Sequence, residues 1–297
     1  MKGVTNLLSL NFTVIFIRKS LNIILYLLIQ VKKELIDKQI QLKNILEPLD
    51  KAVISYSGGL DSSFLLAFSH EILGENTVAV TINSPLTPLR EFDDAKDFTS
   101  SRKIKHKIIN IQMNELDTII KNEMDRCYHC KKLIFEKILD YANQQKISYI
   151  LDGSNYDDLK DFRPGMKALR ELRIKSPMIE AGLKKEDIRI LSKQMGLKSW
   201  NKPSMACLAS RFPYNTTITT EALDKIEKSE SYIQSLGIGQ VRIRYYEEHA
   251  KIEVLKEDFN LIIKNSKKIV EFMKKHGFNT ITLDLKGYRT GSLNEDL

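Results

Sequence analysis

The chain has 297 residues, of which 42% are hydrophobic and 28% charged, an ordinary globular composition that excludes a disordered chain. Its formal net charge of +8 favours anionic partners such as nucleotides, phosphorylated small molecules and RNA without choosing among them. Three cysteines exclude a disulfide framework, and one Cys-x-x-Cys among them indicates a reducing compartment, so we expect a cytoplasmic protein.

Residues 1–30 are largely apolar, with a short basic interruption. The apolar runs Leu7 to Ile17 and Leu21 to Ile29 each fall short of the ~20 residues of a membrane span. No small-residue cleavage site follows them, as a signal peptide would require. We expect no membrane span here and an extension of unknown role outside the catalytic unit; a peripheral amphipathic anchor is the alternative.

Beyond this extension, β-rich and helix-compatible segments alternate, beginning with an amphipathic helix over 31–49. The predicted strands span 52–56, 77–82, 107–111 and 148–151, and the predicted helices span 64–73, 90–101 and 130–145. Such alternation predicts a doubly wound parallel α/β sheet with ligands at the carboxyl ends of the strands.

The composition changes after Pro213. The predicted helices of this part span 221–236 and 259–276, and the predicted strands span 241–246, 251–255 and 280–285. They predict a second, smaller α+β module.

The segment 57–63, Ser-Gly-Gly-Leu-Asp-Ser-Ser, connects the first strand to a helix. This turn directs unpaired backbone N–H groups and the positive end of a helix dipole at one point, which favours phosphate. Its serines add hydroxyl donors, and Asp61 is suited to cap the helix or help hold magnesium. The string resembles the PP-loop of the ATP pyrophosphatases, whereas a Walker A loop is excluded because no Gly-Lys-Ser/Thr occurs.

A polar, turn-rich stretch follows the fourth predicted strand and contains Asn155, Asp158 and Arg163. A solvated loop has the same composition. Because this stretch follows a strand next to the phosphate-binding turn, we expect it to contact ribose or metal.

Cys127 and Cys130 form a Cys-x-x-Cys pair, which is compatible with a redox pair, half a zinc site or two buried thiols. Cys207 stands alone in the sequence, and a single cysteine is most often a small buried hydrophobe. The residues alone leave these alternatives open.

Several longer strings occur in order along the chain. They are the PP-loop, Arg-Cys-Tyr-x-Cys-Lys at 126–131, the stretch 155–165, Ser-Pro-x-x-Glu-Ala-Gly-Leu at 176–183, Trp-x-Lys-Pro at 200–203, Ala-Cys-Leu-Ala-Ser-Arg at 206–211, Val-Arg-Ile-Arg-Tyr at 241–245 and Gly-Tyr-Arg-Thr-Gly-Ser-Leu-Asn at 287–294. Together they resemble the LarE family, ATP-dependent sulfur transferases that help make the nickel-pincer nucleotide. The resemblance implies a PP-loop ATP pyrophosphatase domain over 31–206 and a substrate-binding domain over 207–297.

The resemblance also implies the reaction. Family members use ATP and magnesium to adenylate a carboxylate of pyridinium-3,5-biscarboxylic acid mononucleotide, releasing pyrophosphate, and sulfur then replaces the activated oxygen to give a thiocarboxylate. The implied partners are that phosphorylated mononucleotide and sulfide or another sulfur donor, with no nucleic acid, and the implied assembly is a homo-oligomer.

Site residues follow from the matching positions. Those implied to bind the nucleotide are Ser55, Ser57, Gly58, Gly59, Asp61, Ser62, Ser63, Asn155, Asp158 and Arg163, with Asp61 also a magnesium candidate. Arg242 and Arg244 alternate onto one face of a strand, so both can reach one anion, and the resemblance assigns them the substrate phosphate. It places Arg211 and Glu253 in the same substrate site; two ordinary exposed arginines are the alternative reading of the pair.

Two sulfur sources are known in the family. One kind sacrifices the cysteine at the position of Cys207, which becomes dehydroalanine. The other holds a [4Fe–4S] cluster through three cysteines, leaving one iron free for a hydrosulfide. Because Cys127, Cys130 and Cys207 occupy all three positions, we favour the cluster type, with the sacrificial type as the alternative.

Two other enzyme classes share the PP-loop. Cluster-bearing PP-loop enzymes thiolate tRNA, and the positive charge suits that partner, but no added RNA-binding module is evident. An amide-forming ligase would share the adenylation step and leave the three cysteines without a role.

Overall fold

A computed structural model describes residue 30 and residues 32–159, 164–202, 206–289 and 291–294. Nearly all of the predicted N-terminal extension lies outside these residues, as do Arg163 and Pro203. Among the described residues, no helix is both long enough and apolar enough to cross a membrane.

The larger part of the fold is a four-stranded parallel sheet with helices packed against it. Its strands are β1 (Ala52–Ser55), β2 (Thr77–Asn83), β3 (Lys105–Asn110) and β4 (Tyr149–Leu151), in the spatial order β3-β2-β1-β4. The helices of this part are α1 (32–46), α2 (Leu60–Leu73), α3 (Leu89–Ser101), α4 (Arg126–Gln144), α5 (Pro164–Glu171), α6 (Pro177–Glu180) and α7 (Lys185–Gln194). The predicted doubly wound α/β class is confirmed.

Burial explains why these segments form the centre of the sheet. Val53 and Ile54 of β1 are fully buried, because β1 pairs with β2 on one side and β4 on the other and is covered on both faces. Phe64 and Leu65 of α2 are also fully buried, so the helix that follows the PP-loop is fixed against the sheet.

The smaller part is a three-stranded sheet in the order β5-β6-β7, formed by β5 (Val241–Tyr246), β6 (His249–Val254) and β7 (Thr280–Leu283). Its helices are α8 (Thr220–Ser235), α9 (Phe259–Lys264) and α10 (Ser266–Lys275). β5 and β6 are antiparallel, and β6 and β7 are parallel. The hairpin is tighter than predicted: Tyr246 pairs with His249, and only Glu247 and Glu248 form the turn.

Several helices differ from their predicted bounds: α2 begins at Leu60 rather than at residue 64, and two further differences bear on the site and the second sheet. α4 begins at Arg126 rather than Cys130, so both cysteines of the Cys-x-x-Cys pair lie in its first turns. The single helix predicted over 259–276 is interrupted at Asn265, whose side-chain amide donates to the Leu261 carbonyl 2.9 Å away. Asparagine competes in this way for backbone groups and disfavours an uninterrupted helix.

The two sheets are connected through a shared hydrophobic cluster. Leu86, Leu116 and Ile119, from the first part of the chain, pack in the same buried cluster as Leu208 and Phe212. The chain on both sides of residue 207 therefore contributes to one core. The boundary between 206 and 207 stays a prediction.

Candidate active site

The PP-loop lies at the carboxyl end of β1, where the chain enters α2. The Ser57 and Ser62 hydroxyl oxygens are 3.0 Å apart, and the Ser62 hydroxyl also donates to the Gly59 carbonyl. Gly59 caps α2 without a side-chain hydrogen bond, so the first N–H groups of the helix remain available to an anion.

Gly58 explains the need for glycine in this loop. Its φ of +77° lies in the left-handed region, and an added Cβ would approach the backbone carbonyl oxygen of Glu91 to 2.9 Å. Any side chain here would therefore push the PP-loop away from α3.

Three of the predicted nucleotide-binding residues converge beside this loop. The Asn155 side-chain amide donates to an Asp61 carboxylate oxygen at 3.3 Å, and the Asn155 backbone N–H donates to Asp158 at 3.0 Å. Burial raises the pKa of Asp61, nearby Lys185 opposes this rise, and Asp158 adds to it. A carboxylate beside another carboxylate at a phosphate-binding turn is a reasonable ligand for a divalent cation.

None of the three cysteines is in a disulfide, and Cys207 influences the other two electrostatically. Cys127 and Cys130 are three residues apart on α4 and therefore share one side of the helix. Burial, followed by the charges of Cys207 and Cys127, raises the pKa of Cys130 to about 12. Desolvation and then Cys207 raise the pKa of Cys127, so the three sulfurs interact electrostatically.

The turn that bears Cys207 is held by a buried ion pair. Arg211 donates from Nη1 to the Cys207 carbonyl at 3.0 Å and contacts both carboxylate oxygens of Glu230, at 2.9 and 2.8 Å. The Arg211 side chain has no exposed surface in this structure. Substrate binding by Arg211 stays a prediction. The contacts of Arg211 in this structure hold the turn that bears Cys207.

The predicted substrate arginines lie on β5. Arg244 donates to Glu253 on β6 at 2.8 Å and to the Ser210 carbonyl at 2.5 Å, so it links the second sheet to the Cys207 turn. Arg242 lies opposite Glu253 in the strand register, and burial, followed by the charge of Arg211, lowers its pKa. These arginines are buried and are not the exposed pair of the alternative reading.

One cavity of about 250 Å³ contains both the PP-loop and a cysteine. Its lining includes Ser55, Ser57 and Gly59 at the phosphate-binding turn, together with Cys207. Glu91, near the start of α3, also lines it, and its Oε1 is buried without a hydrogen-bond partner among the described residues. The PP-loop and Cys207 therefore line one cavity.

Glu91 is predicted to make stability depend on pH. Burial raises its pKa to about 7, against the opposing charges of Lys202, Arg211 and Arg242. Since the folded pKa exceeds the unfolded value of 4.5, protonation of Glu91 favours the folded state. This contribution to the unfolding free energy is complete below pH 4.5 and is lost as the pH rises through 7. Glu91→Gln should therefore flatten the pH profile of the unfolding free energy and stabilise the protein at pH 8 by up to about 3 kcal/mol.

Urea unfolding of both proteins between pH 4 and pH 8 measures this difference. The exposed Glu71→Gln is the matched control and should retain the wild-type profile. If the unfolding free energies of wild type and Glu91→Gln changed equally with pH, the raised pKa of Glu91 would be contradicted.

Sequence reasoning missed Glu91, Glu230 and the role of Arg126. Glu91 and Glu230 are acidic residues in ordinary helical segments, and only the fold brings them to the PP-loop and to Arg211. Arg126 had one local signal, since it precedes Cys127 directly.

Comparisons with known proteins identify relatives of this chain. Residues 28–150 match the NAD synthase family model. The chain is 36% identical to an uncharacterized protein of Synechocystis, over 86% of this chain and 96% of that protein. It is 32% identical to the pyridinium-3,5-bisthiocarboxylic acid mononucleotide synthase of Lactiplantibacillus plantarum, over 88% of this chain and 95% of the synthase.

A more distant relative shares only part of its length with this chain. A glutamine-hydrolyzing GMP synthase component of Thermoplasma acidophilum is 23% identical, over 62% of this chain and 63% of that protein. By its nearly full-length match to the Lactiplantibacillus synthase, the chain belongs to the LarE family of PP-loop proteins.

Proposed function

We propose that this protein is an ATP-dependent sulfurtransferase acting on pyridinium-3,5-biscarboxylic acid mononucleotide. The observation that carries the proposal is the cavity that Cys207 shares with the PP-loop residues Ser57 and Gly59. A sulfur carrier and an adenylation loop in one space match a reaction that activates an acyl group and then replaces its oxygen. The substrate name comes from the Lactiplantibacillus relative.

The first step forms an acyl-adenylate. A substrate carboxylate oxygen attacks the α-phosphorus of ATP, the bond to the bridging α,β-oxygen breaks, and pyrophosphate leaves. Ser57, Ser63 and the N-terminal N–H groups of α2 would bind the leaving phosphates, with Asp61 as the magnesium candidate.

The second step replaces AMP with sulfur. Hydrosulfide attacks the acyl carbon, the bond to the adenylate oxygen breaks, and the products are a thiocarboxylate, AMP and a proton. In the sacrificial alternative the Cys207 thiolate attacks instead, and loss of its Cα proton then breaks its Cβ–S bond and leaves dehydroalanine.

The cysteines fit a [4Fe–4S] cluster by the chemistry of their donors. Thiolates are the usual ligands of such clusters, and these three interact electrostatically. In the described part of the chain, no three His, Cys, Asp or Glu side chains form a site for one metal ion. Cluster thiolates bind different irons and need not converge on one point. Cys127, Cys130 and Cys207 would hold the cluster, which when bound would supply an open coordination position for sulfide.

The buried charges of the second sheet support an anionic substrate. Arg242 and Arg244 lie two residues apart on β5, beside the turn that bears Cys207. A mononucleotide phosphate would relieve the mutual repulsion of Arg211 and Arg242. The oligomeric state stays a prediction.

The test uses protein purified without oxygen and mixed with ATP, magnesium, the mononucleotide and sulfide. We expect AMP, pyrophosphate and the thiocarboxylate, with about four irons per chain and repeated turnover. Iron-free protein that makes one product per chain and loses the mass of hydrogen sulfide would select the sacrificial route. Absence of AMP and pyrophosphate would reject the proposed function.

A further inference from the structure

Arg126 links the two segments that carry the cysteines. It is the first residue of α4 and precedes Cys127 directly. Its Nη1 donates to the carbonyl oxygen of Ala209, two residues after Cys207, at 2.9 Å. The same atom contacts the Asn122 side-chain oxygen. One guanidinium thus connects the Cys-x-x-Cys helix to the turn of the third cysteine.

The environment of this guanidinium is restrictive. Arg126 is 4% exposed, and its guanidinium carbon lies 5.1 Å from the centre of the Tyr214 ring. Its Nε is buried and has no hydrogen-bond partner among the described residues. A buried charge in this position offsets the negative charge that neighbouring thiolates would carry.

Other contacts hold the surrounding backbone without Arg126. The Ile218 N–H donates to the Ile120 carbonyl at 2.8 Å, and the Asn215 N–H donates to the Asn122 carbonyl at 3.0 Å. The Asn122 side-chain amide also donates to the Pro213 carbonyl at 2.6 Å. These bonds join the segment before α4 to residues 213–218, beyond the Cys207 turn. Among the described side chains, only Arg126 bonds from the first turn of α4 to the carbonyls of residues 206–211.

We propose that Arg126 is a positioning residue that sets the place of Cys207 relative to Cys127 and Cys130. Arg211, at the end of the same turn, donates to the Cys207 carbonyl and pairs with Glu230 on α8, so two buried arginines contact this turn. The purpose of this arrangement rests on the proposed function, because a sulfur site built from two segments needs a fixed separation between them. The position of Cys207 relative to Cys127 and Cys130 is tested without any enzymatic turnover.

The test measures bridging of thiols in the metal-free full-length protein. The short bifunctional thiol reagent dibromobimane is added, and bridged peptides are quantified by mass spectrometry. Wild type should form the bridge from Cys127 to Cys130 and bridges from either of them to Cys207. In Arg126→Gln the bridges to Cys207 should form about tenfold more slowly, the factor expected for loss of one charged hydrogen bond.

The bridge from Cys127 to Cys130 is an internal control, because both residues lie on one helix and their separation does not depend on Arg126. Its rate should be unchanged in Arg126→Gln. Arg126→Lys, which keeps the positive charge and N–H donors but loses the planar guanidinium, should show an intermediate rate for Cys207. Arg102→Gln, which removes an arginine from over the Phe98 ring, is the matched control and should match wild type.

Three results would overturn the inference. They are an unchanged Cys207 rate in Arg126→Gln, a parallel loss of all bridges, and absence of Cys207 bridges in wild type. If Arg126→Gln does not fold, as judged by circular dichroism, the comparison of Arg126→Lys with wild type decides. Failure of the proposed function would appear as absent product with an unaltered bridging pattern, so the two failures are distinguishable.

Discussion

Cys207→Ala is expected to abolish thiocarboxylate formation, by at least about 10³-fold, while pyrophosphate release from ATP continues. The reason is that the adenylation step and the sulfur-transfer step would use different residues of one cavity. In the proposed reaction the PP-loop and the start of α2 would bind the leaving phosphates, and Cys207, which lines the same cavity, would serve the sulfur-transfer step. Radiolabelled pyrophosphate exchange into ATP would measure the first step, and chromatography of the mononucleotide would measure the second.

Cys127→Ala is the matched variant for this experiment. If three cysteines hold a cluster, Cys127→Ala should lose product formation as fully as Cys207→Ala does. If Cys207 is consumed, Cys127→Ala should still form about one product per chain. Wild-type thiocarboxylate yield in Cys207→Ala would contradict both sulfur routes.

The second large effect concerns the buried pair of Arg211 and Glu230. Arg211→Met is expected to destabilise the protein by about 3–5 kcal/mol, because it leaves the Glu230 carboxylate buried without its cation. The pair is almost fully shielded, with side-chain exposures of 0% and 7%. Urea unfolding at pH 7 measures the change, and the midpoint should fall without a change in slope.

A double variant separates this electrostatic cost from lost packing. Glu230 also accepts a hydrogen bond from the Ile243 backbone N–H at 2.9 Å, so glutamine keeps that acceptor while removing the charge. Arg211→Met combined with Glu230→Gln should recover a large part of the lost stability. If the double variant is less stable than Arg211→Met alone, the uncompensated charge is not the cause.

The fold was predictable where local patterns carry it. The β-rich run at 52–56, the glycine turn after it and the following apolar helix need no distant information, and the parallel sheet confirmed that reading. The start of α4 was less accessible, because Asp125 stands at the N-cap position without a side-chain capping hydrogen bond and the residues that follow, Cys127, Tyr128 and His129, are weak helix formers. The break at Asn265 coincides with a side-chain hydrogen bond to the Leu261 carbonyl, which helical periodicity does not report.

The site was predictable where the chemistry is concentrated in short strings. The cysteines, the loop serines and the arginines of β5 all occur in such strings. Glu91 and Glu230 do not, since each becomes notable only by burial next to residues far away in the sequence. Periodicity reports which face of a helix is apolar, but it does not report which buried carboxylate faces a cation from another element.

The pairing of the strands has a consequence for the order of folding. Within the second sheet, Tyr246 pairs with His249 across a two-residue turn, so this hairpin closes with little loss of chain entropy. In the first sheet, Ala52 pairs with Tyr149, and α4 with its cysteine pair lies within the intervening chain. We therefore expect the hairpin to form early and β4 to join β1 late, so that the segment carrying Cys127 and Cys130 is enclosed between paired strands only in the last steps of folding.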